Sequence, residues 1–368
     1  VKLMRALDVR APRRILVRAT NWVGDAVMTL PALDALARAC PQARLDVLAK
    51  PWVRAVYENA PGVASMITLD SEAHHAGPTG RVILATELRE REHDWAVLFQ
   101  NAFEAALIAR LAGIPVRIGY TTDARRLLLT HPVPRTEAVK QVHETAYYLH
   151  LLHGAGLIAA PPPPEGVRPV LHLSAEDRQW ATEFLEGLGL SNGAPLLGLA
   201  PGAAFGPAKC WPAERFAAAA TELLAEGFAG VLLFGSAKEA AATAQVATAL
   251  PGRRPGAARV VDLAGATGLG QAFALLERLG LFLTNDSGLM HAAAALGTPT
   301  LAVFGSTNPV TTAPQGPWVS LVRKPVDCGP CLKPECPTDL RCLTAIAPEE
   351  VAAAARELLR AKAKGEGA

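Results

Sequence analysis

The sequence predicts an α/β protein built from two Rossmann-like, doubly wound domains that face each other across a cleft. Three observations carry this. Short apolar runs rich in β-branched residues alternate with Ala/Leu-rich amphipathic stretches along most of the chain. The same alternation recurs in both halves. Between the halves lies IAAPPPPEG at 158–166, the strongest linker signal, whose consecutive prolines donate no backbone hydrogen bonds and favour a stiff, extended connection. Strands this apolar belong to a parallel sheet covered on both faces, since a strand with one wet face would alternate.

In the first half, RRILVR (13–18), RLDVLA (44–49), ASMITL (64–69), DWAVLF (94–99) and VRIGY (116–120) read as strands, and DAVMTLPALDALARA (25–39) as a helix. In the second, APLLGLA (194–200), GVLLFG (230–235), RVVDLA (259–264), LFLTN (281–285) and TLAVFG (300–305) are strands. Ser174 suits the cap of the helix that follows it, AEDRQWATEFLEGL. These readings divide the chain into residues 1–172, residues 173–347 and a final helix and tail at 348–368. Ligands of open α/β sheets bind at the carboxyl ends of the strands, so the functional residues are sought there.

Composition narrows the field. With 368 residues the chain is long enough for two cores, and 36 Lys+Arg against 34 Asp+Glu leave a net charge of +2, too small to announce a nucleic-acid binder. Residues 1–172 hold 20 basic and 16 acidic residues and eight of the nine histidines, a mildly basic half suited to phosphates or carboxylates, or else scattered surface charge. The opening VKLMRALDVRAPRR lacks the apolar core of a signal peptide, and no run of 18 apolar residues occurs. A cytoplasmic protein with reduced thiols and at most peripheral membrane contact is expected.

Three segments follow strands and carry candidate chemistry. In ATNWVGDAVMTLPAL (19–33), Asn21, Trp22 and Gly24 make a tight strand-to-helix turn, and Asp25 falls at the helix start. Asp25 is either an N-cap or a carboxylate aimed into the cleft as a general base. In LAPGAAFGPAKCWPAERF (199–216), Gly202 and its small neighbours let backbone N–H groups approach phosphate, and Lys209 supplies the countercharge; an ordinary surface turn is the competing reading. In LTNDSGLMHAAAALGTP (283–299), Asp286 precedes a helix whose first N–H groups, from Ser287, Gly288 and Leu289, can seat a diphosphate, with His291 one turn further on. Taken separately, Asp286 can be a cap and His291 a satisfied buried histidine. FGSAKE (234–239) adds Glu239, able to hold a ribose through two hydrogen bonds or to sit exposed in a first helical turn.

Cys328, Cys331, Cys336 and Cys342 form a fourth cluster, either a structural zinc site or a loop of free thiols. No catalytic metal or cofactor is expected. GxGxxG, DxD and GxSxG are absent, which argues against a nicotinamide dehydrogenase, a metal-clamped diphosphate and a hydrolase elbow.

Together NWVGDAVMTLP, PGAAFGPAKCWP, LLFGSAKE and TNDSGLMHAAAALGTPTLAVFGSTNP resemble the ADP-heptose:lipopolysaccharide heptosyltransferases, glycosyltransferase family 9, over about residues 13–345. The resemblance implies the GT-B fold, an N-terminal acceptor domain, a C-terminal donor domain and an inverting reaction. It implies Asp25 as base and Lys209 at the donor diphosphate. It further implies Asp286 at the heptose, Ser287, Gly288, Leu289 and His291 around the phosphates, and Glu239 at the ribose. The implied partners are ADP-heptose and a heptose acceptor linked to Kdo and lipid A, with peripheral contact to the inner membrane. A member with a different heptose acceptor and a non-catalytic binder of sugar nucleotides are the alternatives. Cys210 stands where the family usually has a basic residue, and Arg215 is a candidate replacement. Arg81, Arg89, Arg117, Arg125 and Arg126 are candidates for the acceptor's phosphates and carboxylates, against a default role as surface charge.

Overall fold

The computed structural model describes residues 11–160, 166–191, 193–250 and 258–365, so the four prolines of the linker lie outside the described residues. The chain forms two compact units, Val1–His172 and Leu173–Ala368.

The first unit is a six-stranded sheet of β1 (Arg14–Arg18), β2 (Arg44–Ala49), β3 (Val63–Thr68), β4 (Trp95–Leu98), β5 (Val116–Tyr120) and β6 (His131–Val133). Its order is β3-β2-β1-β4-β5-β6, and every pair is parallel. The second comprises β7 (Leu196–Ala200), β8 (Gly230–Leu233), β9 (Arg259–Asp262), β10 (Leu281–Asn285), β11 (Thr300–Phe304) and β12 (Val319–Arg323). The order there is β12-β11-β10-β7-β8-β9, again all parallel. Read from opposite edges, the two orders are the same. The chain winds outward from the first strand, returns, and winds the other way, which leaves a switch point beside β1 in one unit and beside β7 in the other.

Burial explains why these segments are strands. All five residues of β7, β10 and β11 are buried, as inner strands of a sheet covered on both faces must be. The edge strands β9 and β12 are half wet. Within β7, Gly198 is required by packing: a Cβ there would lie 2.3 Å from Leu279 and 2.9 Å from Phe282. Strands β6 and β12 escaped the sequence reading.

The final helix, Pro348–Lys364, buries Val351, Ala352, Ala355 and Leu358 at helical spacing. It packs on the Ala213–Leu224 helix and on β11 and β12, and so closes the second unit's core around Trp211, Phe216 and Leu223. The Ala175–Gly187 helix begins at the predicted cap, where Ser174 Oγ accepts the Asp177 N–H at 2.9 Å. Losing that acceptor strands one N–H of the first turn. Ser174→Ala should therefore destabilise the second unit by about 1 kcal/mol, read as a lower denaturant midpoint with an unchanged slope.

Candidate functional site

In the first unit the turn after β1 sits at the switch point. Arg18, the last residue of β1, is buried, and its Nη2 donates to Asn21 Oδ1 at 2.9 Å. Burial lowers the Arg18 guanidinium to about 10, opposed by Tyr57 and Glu104. Asn21 is held at its other end too, since its carbonyl accepts from Trp52 Nε1 at 2.9 Å. Asn21 thus fixes the turn. Trp22, extended and 58% exposed, takes the cap position of the Val23–Ala39 helix. Asp25 is the third helical residue, so it stands in the first turn, where free N–H groups and the dipole favour an anion, and not at the cap itself. One turn on, Thr29 Oγ1 lies 2.8 Å from Tyr57 Oη. Burial raises the Tyr57 hydroxyl to about 12, opposed by hydrogen bonding from Thr29 and aided by the field of Asp25.

In the second unit four carboxyl-end loops converge. Lys209, in the short 3-10 turn Pro207–Lys209, places its Nζ 2.8 Å from Asp286 Oδ2, with both side chains largely buried. Asp286 also accepts from Thr307 Oγ1 at 2.6 Å. Its neighbour Asn285 ties two loops together: its Nδ2 donates to the Pro201 carbonyl at 2.6 Å and its Oδ1 accepts the Trp211 N–H at 3.0 Å. Lys209 Nζ also lies 5.0 Å from the centre of the half-exposed Phe205 ring. Ser287 caps the Gly288–Ala295 helix, its Oγ accepting from Met290 N–H. The cap therefore belongs to Ser287, and Asp286 is freed for Lys209. Gly288 and Leu289 open that helix, and His291 is buried within its first turn.

Glu239 ends the 3-10 turn Ala237–Glu239 and takes both the N–H and the Oγ of Ser236 at 2.8 Å. Its carboxylate lies against Gly202, where an added Cβ would approach Oε1 to 2.5 Å. Glu239 also helps to raise the Cys210 thiol, after burial, which leaves Cys210 uncharged. Lys209, Asp286, Thr307, Gly202 and Glu239 thus line one rim of the second sheet. An ammonium, helix N–H groups and a carboxylate in that arrangement can take a diphosphate and a ribose.

The structure gives partners to most of the other candidate arginines. Arg215 donates to the Ile346 carbonyl, which Trp211 Nε1 also reaches at 3.3 Å, so one of its N–H groups ties its helix to the segment before the final helix. Arg125 is fully buried, bonded to the Tyr120 and Gln100 carbonyls and to Asn101 Oδ1. Arg117 donates to the Leu128 carbonyl at 2.7 Å, Arg89 to the Leu111 carbonyl at 2.6 Å, and Arg81 pairs with Glu104 at 3.1 Å. Arg126 is exposed.

The four cysteines border a cavity of about 290 Å³ together with Ser306 and Lys333. Thiolates on one zinc ion sit about 3.8 Å apart, given tetrahedral bonds of about 2.3 Å. Among the described residues, no three potential ligand atoms of this cluster fall within 4.8 Å of one another, so the loop is open and not a formed four-thiolate shell. His74, His75 and Glu87 do come that close. There, however, His75 Nδ1 accepts the Asp70 N–H at 3.1 Å, which leaves the ring proton on Nε2 to donate to Glu87 and closes that nitrogen to a metal. Sequence reasoning named neither Thr307, Asn285 and Arg18 nor the half-buried Glu144, the first residue of the Glu144–Gly154 helix. Burial raises its carboxyl to about 7, reinforced by Asp25 and opposed by Arg135. Its signal in the sequence was the pair His143-Glu144 opening an apolar helix, which no spacing rule distinguishes from a helix start.

Comparisons with known proteins bear on this arrangement. The model of "Glycosyltransferase family 9 (heptosyltransferase)" matches residues 81–341, more than half of the chain. The chain is 36% identical over 314 residues to lipopolysaccharide heptosyltransferase 2 of Escherichia coli (strain K12), covering 84% of this chain and 88% of that protein. It is 32% identical to lipooligosaccharide heptosyltransferase 2 of Haemophilus ducreyi, with the same coverage of 84% and 88%. Among solved structures it resembles the E. coli ADP-heptose lps heptosyltransferase II, with a TM-score of 0.80 and 31% identity over 95% of this chain and 99% of that one. The two parallel six-stranded units accordingly have the GT-B fold. With relatives this similar over most of both chains, the protein belongs to glycosyltransferase family 9, the heptosyltransferases.

Proposed function

We propose that this glycosyltransferase moves L-glycero-D-manno-heptose from ADP-heptose onto the first heptose of the lipopolysaccharide inner core, as a heptosyltransferase II. The observation that carries the reading is the Lys209–Asp286 pair beside the Ser287-capped helix, at the switch point of the second sheet. An ammonium held by one carboxylate is placed to meet a second anion, and the helix N–H groups of Ser287, Gly288 and Leu289 have no intrahelical acceptors. The relatives bearing the heptosyltransferase 2 name favour this reading over a member with another heptose acceptor. Membership of a transferase family likewise disfavours a non-catalytic binder of sugar nucleotides.

In the proposed reaction Asp25 takes the proton of the acceptor hydroxyl as its oxygen bonds to the anomeric carbon. The bond from that carbon to the diphosphate breaks, and its electron pair leaves with ADP. One displacement inverts the configuration. Lys209, His291 and the 287–289 N–H groups stabilise charge growing on the leaving diphosphate, while Asp286 orients the heptose and Glu239 the ribose. The protein supplies every one of these groups, so no cofactor enters the scheme. An ion held by the four cysteines would be structural, and its binding would require the thiols to converge. The acceptor is anchored in lipid, and we place the enzyme in the cytoplasm, touching the inner membrane peripherally; no described helix is long and apolar enough to cross a membrane.

Asp25→Ala should lose nearly all transfer while binding ADP with close to normal affinity by calorimetry; near-normal turnover would remove Asp25 as base. Lys209→Ala should lower kcat by about two to three orders of magnitude in a coupled ADP-release assay. Gly202→Ala should push Glu239 aside and weaken ADP binding by about tenfold, through loss of a hydrogen bond to a charged group.

A further inference from the structure

Two exposed tryptophans stand at the carboxyl edge of the first sheet, and the proposed reaction uses neither. Trp22 follows β1, while Trp52 follows β2 in the short 3-10 turn Pro51–Val53 and is 44% exposed. β1 and β2 are neighbouring parallel strands, so both residues lie beyond the same edge. Trp52 is not loose. Its Nε1 donates to the Asn21 carbonyl at 2.9 Å, and its turn packs on the Val23–Ala39 helix, whose first turn holds Asp25. Asn21 is in turn gripped by Arg18 Nη2 at 2.9 Å. The indole has thus spent its one donor inward, and what it leaves to solvent is apolar ring. Beside that ring, Lys50 Nζ lies 4.7 Å from its centre. Among the described residues no carboxylate pairs with Lys50, whereas the next cation along the chain, Arg54, is held by Glu58 at 3.0 Å. An exposed aromatic standing singly needs no explanation. Here two of them flank one anchored asparagine, and one carries an unpaired ammonium.

We propose that Trp52 and Lys50 form a subsite for an anionic sugar of the acceptor, away from the hydroxyl that reacts. The proposal rests on the transfer reading given above. The C–H face of a pyranose is apolar and packs on an indole ring, and an ammonium beside the ring takes the carboxylate or phosphate that the same carbohydrate carries. A neutral sugar would leave Lys50 unused, and a small anion would leave Trp52 unused. A nucleotide would satisfy both, but the groups able to take a diphosphate and a ribose lie in the second unit. Trp22, three residues before Asp25, is a second apolar surface at the same edge. Because the Trp52 ring is already pinned, stacking a sugar on it freezes little further motion. Contacts remote from the reacting atoms hold ground state and transition state alike, so this pair sets which acceptor binds and leaves the chemical step to other groups.

The test uses the full-length protein and its Lys50→Met, Trp52→Leu and Trp52→Phe variants. It measures kcat and both KM values for heptose transfer, and the acceptor Kd by calorimetry without ADP-heptose. The acceptor is a defined inner-core oligosaccharide bearing an acidic sugar, used intact, stripped of phosphate, or with its carboxylate reduced to an alcohol. Lys50→Met keeps the aliphatic stem and drops the charge. It should raise the acceptor KM and Kd about tenfold, with kcat and the ADP-heptose KM held within about twofold. The wild type should lose the same factor on one of the two altered acceptors, and Lys50→Met should lose nothing further on it; that acceptor identifies the anion as carboxylate or phosphate. Trp52→Leu should also raise the acceptor KM about tenfold, and Trp52→Phe, which keeps a ring without the N–H, should recover most of the loss. An unchanged acceptor KM in Lys50→Met, or a loss equal on all three acceptors, overturns the proposal. So does a Trp52→Phe variant as impaired as Trp52→Leu with the loss in kcat, since Trp52 would then serve only to hold Asn21. A wild type that binds the acceptor but transfers no heptose overturns the functional reading alone, because calorimetry still measures the subsite.

Discussion

In both units the strand order reverses beside the first strand, and that reversal decides where chemistry can occur. Crossover helices leaving β1 and β4, or β7 and β10, go to opposite faces of their sheet. The carboxyl ends between them are left uncovered, with helix N-termini pointing at the gap. Asp25 follows β1, Lys209 follows β7 and Asp286 follows β10. Each nominated group therefore owes its place to the winding of the chain before it owes anything to its own side chain.

Within the second unit the gap is held rigid by ordinary amide chemistry. Asn285, buried at the end of β10, spends its carboxamide on the loop after β7 and on the Trp211 N–H, so the loop bearing Lys209 cannot drift from the strand bearing Asp286. The ion pair that results is largely withdrawn from water. Such pairs add little stability against an apolar substitute, and they are costly to break from one side. That asymmetry suits a site in which the ammonium must stay charged and stay put. The first unit solves the same problem with Arg18, which grips Asn21 from below while Trp52 grips its carbonyl.

Most of the architecture was legible because inner parallel strands are apolar throughout. LFLTN and VRIGY coincide with β10 and β5 to the residue. β6 was not legible: three residues with Pro132 at the centre are too few to show a period. β12, VSLVR, is an edge strand whose half-wet burial blurs both the apolar run and the alternation. At the candidate site, positions were readable and partners were not. The sequence placed Asp25 and Asp286 at helix starts but left open which residue caps; the structure puts Trp22 and Ser287 there. Arg125 and Arg215 looked like spare charge because nothing local reveals that a guanidinium will turn inward onto carbonyls 5 or 131 residues away. Glu144 was invisible for a related reason. The desolvation that raises its carboxyl comes from tertiary surroundings, which have no signature in a single sequence.

The central claim, transfer of a heptose from ADP-heptose to a heptose acceptor, is tested most directly by mass spectrometry of a defined inner-core acceptor bearing one heptose, after incubation with the protein and ADP-heptose. The account predicts a product heavier by one heptosyl residue, with one ADP released per transfer. Release of free heptose and ADP with the acceptor unchanged, or no consumption of ADP-heptose at all, would contradict it.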